Sequence, residues 1–161
     1  MIITTSKNAT KQIKKIAKNF SKILPCRNYY KSRKRLSIQK ISNFALKKNI
    51  YQIFVFRKKE EYLMILKYEY DKKGFWIWRE NALLIKNIKI EKELDYKQPL
   101  DIEYQSKNKT RLKKFFSIQN SALNEIYIGK KNKFLIKENK KICFLYNNNL
   151  VFEADFRWVD V

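Results

Sequence analysis

MIITTSKNATKQIKKIAKNFSKILP (residues 1–25) begins with a short β-branched run and continues into a segment where every charged side chain is a lysine. Residues 2–5 (IITT) have the composition of a strand. From Ala9 to Leu24 the apolar residues Ile13, Ile16, Ala17, Phe20, Ile23 and Leu24 recur at spacings of three and four. That period predicts an amphipathic helix, with Asn8 as its N-cap and Pro25 ending it. Lys11, Lys14, Lys15, Lys18 and Lys22 fall on the opposite side. The helix therefore offers one face to a core and one positive face to something else.

Working outward, the segment CRNYYKSRKRLS (26–37) is polar and basic, with Tyr29 and Tyr30 adjacent. Ser37 is placed to cap a second helix whose buried stripe is Ile38, Ile41, Phe44, Ala45 and Leu46. IYQIFVF (50–56) is an almost unbroken apolar run of strand length, suited to a central strand covered on both faces. RKKEE (57–61) reads as a turn, and YLMILKYEY (62–70) as the returning strand. FWIWR (75–79) and LLIKNIKI (83–90) extend the sheet. In FWIWR, Phe75 and Ile77 alternate with Trp76 and Trp78, as in a strand buried on both sides, with a base-stacking surface as the alternative. Residues 91–109 are polar, mixed in charge and expected to be the least ordered. TRLKKFF (110–116) predicts a shorter helix; NEIYIG, KFLIKE, KICFLYNN and LVFEADFRWV predict closing strands, with Trp158 in the core.

The 161 residues suit one domain, and 45% apolar composition with 15% aromatics describes a folding chain. The net charge is +22, unevenly placed: residues 1–59 hold 13 lysines, 4 arginines and no acid, and the first carboxylate is Glu60. A field of this kind repels itself unless a polyanion neutralises it, and nucleic acid leads that class. A lysine-rich codon bias accounts for part of the excess but not for the missing acids. With no histidine, the usual acid–base and metal-ligand chemistry is lacking. Asp95, Asp101, Glu103, Glu153 and Asp155 have no metal-site spacing, and Gly74 and Gly129 are too isolated for a phosphate-cradling loop. No catalytic role, metal or cofactor is expected. Cys26 and Cys143 stand alone, which suits a reducing compartment. No apolar run is long enough to span a bilayer. The basic first helix also fits an anionic membrane surface, yet its apolar stripe lacks Trp and is what a sheet needs for cover.

The opening strand followed by TTSKNATKQIKKIAKNF, the second helix introduced by KRLSIQKI and the strand IYQIFVF resemble the Brix domain of ribosome-biogenesis factors. Thr5 and Ser6 match that family's opening motif, Lys7 stands for its arginine, Thr10 for its second serine and Lys14 for its helix arginine. Ala9 and Ile13 depart from the pattern, the usual glycines before the second helix are absent, and RKKEE replaces a glycine-rich loop. LLIKNIKIEKEL and KICFLYNNNLVFEA resemble the later strands and final hairpin. The resemblance implies a mixed α/β fold of two pseudo-equivalent halves (1–90 and 91–161), helices packed on mixed sheet. Each half would be similar to the anticodon-binding domain of class II tRNA synthetases. It further implies a non-catalytic partner of ribosomal RNA or its precursor, in a cytoplasm or, in a eukaryote, the nucleolus. Assembly proteins are further candidate partners, and the free protein is expected to be a monomer with no membrane contact. A tRNA-binding or general RNA-chaperone domain of the same fold, or a protein scaffold, are the alternatives.

Candidate RNA contacts follow from both readings. Lys11, Lys14, Lys15, Lys18 and Lys22 form a strip about 16 Å long, able to meet several phosphates. Ser6, Asn8 and Thr10, with the N–H groups at the helix start, are placed for a further phosphate, and Lys7 beside them is a further RNA contact. Arg27, Arg33, Lys34 and Arg35 surround Tyr29 and Tyr30, a combination that stacks on unpaired bases. Packing of either tyrosine into the core is the competing assignment.

Overall fold

The computed structural model describes residues 1–24, 29–90, 109–116, 133–137, 141–146 and 149–161. The chain runs β1 (Ile2–Thr5), α1 (Lys11–Ile23), β2 (Tyr29–Tyr30), α2 (Ile38–Leu46), β3 (Gln52–Lys59), β4 (Tyr62–Tyr70), β5 (Trp76–Trp78) and β6 (Asn81–Ile90), then α3 (Lys109–Phe116), β7 (Lys133–Lys137), β8 (Lys141–Tyr146) and β9 (Asn149–Asp160). These strands form one nine-stranded sheet in the order β2-β1-β3-β4-β6-β9-β8-β7, with β5 paired to β4. β1 is parallel to both β2 and β3, and the other pairings are antiparallel. The mixed α/β class is as expected, and the pairing of β6 with β9 joins the strands before residue 91 to those after it.

Two-residue alternation along the strands divides the apolar residues between two cores. Ile3, Phe54, Phe56, Leu63, Ile65, Leu83 and Ile85 face α1 and α3, whereas Ile2, Ile53, Val55, Met64, Leu66 and Leu84 face α2. IFVF in β3 is thus covered on both sides, as its unbroken apolar character requires. Phe20 of α1 ties the larger core together, with its ring centroid 5.2 Å from Phe56, 6.5 Å from Phe116 and 5.1 Å from Phe152. Of the two cysteines, Cys143 is buried, and its Sγ donates to Glu153 Oε2 at 3.7 Å.

Four local expectations are corrected. α1 is capped by Thr10, not Asn8: Thr10 has the extended backbone of a cap, and its Oγ1 accepts the Ile13 N–H at 3.3 Å. Asn8 lies two residues earlier, in the turn where the Ala9 N–H donates to the Ser6 carbonyl. RKKEE turns only at its end, because β3 continues through Lys59 and its register pairs Arg57 with Met64 and Lys59 with Tyr62. Only Glu60 and Glu61 turn, with Glu60 at φ 54°. FWIWR is not buried on both sides: among the described strands β5 pairs only with β4, and Phe75 is 66% and Trp78 47% exposed. Trp158 is only partly buried, its ring 5.2 Å from Phe115 on the α3 side and 4.5 Å beneath the Arg111 guanidinium. Pro25, Cys26, residues 91–108 and the NEIYIG segment lie outside the described residues. Among the described helices, none is long and apolar enough to cross a membrane.

Candidate nucleic-acid interface

α1 sits on the sheet through Ile13, Ile16, Ala17 and Phe20, all buried, and this fixes which side of the helix faces outward. Lys11, Lys14, Lys15 and Lys18 are exposed and Lys22 is half-buried, so the five share the outer face as their spacing requires. The first turn of α1 holds no acid and its last turn holds Lys22. An acid would be favoured at the positive end of the helix dipole, yet Lys11 occupies it. That placement costs a few tenths of a kcal/mol in an exposed first turn. Lys7 is exposed in the turn that precedes the cap.

The other candidates do not join this strip as a group. Tyr29 and Tyr30 form β2, the edge strand beside β1, anchored where the Tyr29 N–H donates to the Met1 carbonyl and the Lys31 N–H to the Ile3 carbonyl. Tyr30 packs against the α1 core. Burial pushes its hydroxyl above the usual tyrosine range, offset in part by hydrogen bonds with Ser32 and Thr5. Tyr29 points away from that core and is 49% exposed. Lys34 and Arg35 are exposed in the turn that follows, with Lys34 at φ 42°. Arg27 lies outside the described residues.

Ser6 and Arg33 face the other side of the sheet. Both line a groove of about 430 Å³ together with Val55, Arg57, Leu66 and Trp78. Arg33 is held by its own turn, where its Nε donates to the Leu36 carbonyl at 3.3 Å and its carbonyl accepts the Leu36 N–H at 2.7 Å. Partial burial lowers its pKa from the usual arginine value, and a guanidinium so shifted stays charged at neutral pH. The candidates thus divide between an α1 strip and a groove on the α2 side.

Arg57 lines this groove without a mark in the sequence as a binding residue, and Trp78 lines it although its alternation with Ile77 favours a buried strand over a base-stacking surface. The signal for Arg57 lies in β3 itself: alternation carried past Phe56 puts residue 57 on the face of Ile53 and Val55. For Trp78 the exposure follows from β5 having one neighbour among the described strands, which composition does not reveal.

Three of the described acids, Glu69, Glu153 and Asp155, are held in local pairs. Glu69 meets Arg79 at 2.7 Å and Lys67 at 3.5 Å. Burial raises its pKa, but the Arg79 hydrogen bond and the Lys67 charge outweigh that, so the carboxyl ends below its ordinary value. Glu153 meets Lys141 at 3.0 Å, and Asp155 accepts from Asn87 Nδ2 at 2.6 Å. Among the described residues, no three metal-ligating side chains of the His, Cys, Asp or Glu type lie together.

No family model matches the sequence, and no curated protein does. Solved structures do match. A probable ribosomal biogenesis protein from Aeropyrum pernix K1 superposes with a TM-score of 0.73 at 13% identity, covering 99% of this chain and 95% of its own. Mil, an archaeal Imp4-like protein, superposes with a TM-score of 0.68 at 15% identity, covering 98% of this chain and 99% of its own. At such identities the likeness is one of fold. The Imp4-like, Brix-type fold implied by the opening residues is the fold this chain adopts.

Proposed function

We propose that this protein is a ribosome-biogenesis factor that binds ribosomal RNA or its precursor during subunit assembly, without catalysing a reaction. The observation that carries this reading is the outward lysine face of α1, within 59 acid-free residues, on a fold shared with a probable ribosomal biogenesis protein. Five lysines along three turns meet successive phosphates, and each contact releases condensed counterions. Such contacts position RNA and set affinity; they read little sequence. Assembly proteins are further partners in this scheme, and the setting is the cytoplasm, or the nucleolus in a eukaryote.

Crosslinking the protein to RNA in its own cells, followed by sequencing, tests the proposal. Reads concentrated at a few sites in ribosomal RNA or its precursor are expected. Reads dominated by tRNA would overturn the ribosomal assignment, and a profile proportional to RNA abundance would reduce the protein to a charge-driven binder.

A further inference from the structure

On the sheet face opposite α1 and α3, α2 is the one described helix that packs, and it covers only part of that face. Beside it lies the 430 Å³ groove, with Val55 and Leu66 apolar and buried, Ser6 at one side, and Arg33, Arg57 and Trp78 around them. Glu80 is the one carboxylate side chain among its described lining residues. Arg57 Nε donates to Met64 Sδ at 3.3 Å, and Arg33 Nε to the Leu36 carbonyl. Each guanidinium is thereby anchored at one nitrogen, with four of its five N–H donors left to a ligand. Neither is in an ion pair with a carboxylate among the described residues.

Trp78 supplies a different surface. Its ring centroid lies 4.5 Å from that of Tyr68, which stacks on Trp76 at 5.2 Å. Trp76 meets Tyr70 at 5.5 Å, and Tyr70 meets Tyr51 at 6.0 Å. This ladder holds the indole in place from one side, while nearly half of it stays open. Positive charge continues across the same face. Arg157, opposite Leu84 in the register, lies 4.4 Å over the Tyr62 ring, and Lys86 lies 5.4 Å from it.

We infer that this groove holds an unpaired nucleotide of single-stranded RNA, its base stacked on Trp78 and its phosphate bound by Arg33 and Arg57. The inference deepens the RNA-binding reading above and rests on it. An open indole with two fixed guanidiniums matches a base with its phosphate, since every base has a flat face and every nucleotide a charge. A duplex hides its base faces in the stack. An acidic peptide would satisfy the arginines but bring no flat group to the indole. The α1 strip and the groove lie on opposite faces of the sheet, so α1 would hold the backbone of a structured RNA while the groove takes a splayed base.

The test uses the full chain with a ten-nucleotide single-stranded RNA and a duplex of the same length. The single strand should quench tryptophan fluorescence. Trp78→Leu should remove that quenching and weaken single-strand binding about tenfold, as expected when one base no longer stacks, with duplex binding unchanged. Trp78→Phe, which keeps a stacking ring, should retain most of the affinity. Arg57→Gln should lower the single-strand salt slope by about 0.7 and gives an independent readout if the leucine variant does not fold. Single-strand affinity unchanged in both Trp78→Leu and Arg57→Gln would overturn the groove assignment while leaving the α1 reading intact. Equal quenching by a poly-glutamate peptide, abolished in the same variants, would overturn it in favour of an acidic-peptide site. Absence of binding to either RNA would instead overturn the RNA-binding reading on which the inference rests.

Discussion

Thr10 and Lys11 stand side by side and serve opposite demands. Thr10 supplies the hydroxyl that closes the first turn of α1. Thr10→Ala should destabilise the protein by about 1 kcal/mol, whereas Asn8→Ala should change little. Equilibrium denaturation of the two variants compares the two cap positions directly. Sequence alone does not choose between them, because asparagine and threonine both cap helices and the choice depends on where the chain leaves β1. Lys11 places a positive charge where the helix dipole favours a negative one. Lys11→Glu should therefore stabilise the fold by roughly 0.3–1 kcal/mol while weakening RNA binding. A variant that becomes more stable with undiminished RNA affinity would mean that this lysine is only solvated surface.

At the scale of elements, α1 is readable because its two faces have separate chemistry at a period that only a helix satisfies. Replacing Lys11, Lys14, Lys15 and Lys18 with Gln leaves the buried face of α1 untouched, so the protein should fold. Its single-strand RNA affinity should fall, and the salt slope should shrink by about 0.7 for each phosphate no longer neutralised. An unchanged slope would show that the strip meets solvent alone. β3 is readable for a related reason, since a strand covered on both faces needs an unbroken apolar run. Where the sequence misleads, the cause is non-local. The charged RKK of residues 57–59 has the composition of a loop, but pairing with Met64, Leu63 and Tyr62 keeps it in the sheet. FWIWR has core composition, yet among the described strands β5 meets only β4, and Phe75 and Trp78 stay exposed. Tyr29 and Tyr30 are equivalent in sequence; the register of β2 on β1 turns Tyr30 towards α1 and Tyr29 away.

For the whole molecule, one sheet carries two cores and two positive surfaces, and Phe20 is the residue through which the larger core is joined. It packs on Phe56 from β3, Phe116 from α3 and Phe152 from β9. Phe20→Ala should cost about 3–5 kcal/mol and, at a typical domain stability of about 5–15 kcal/mol, unfold a large share of the protein near its upper working temperature. Thermal unfolding followed by circular dichroism reads this; a destabilisation below about 1 kcal/mol would mean that the helix and the later strands do not share a core. The central claim is that the exposed lysine face of α1 lies against ribosomal RNA, and crosslinked peptides test it most directly. Protein crosslinked to RNA in cells is digested, and the nucleotide-bearing peptides are identified together with the RNA attached to them. The account predicts adducts on peptides spanning residues 11–22, carrying ribosomal RNA or its precursor. Adducts absent from that helix while other peptides carry the same RNA would contradict it.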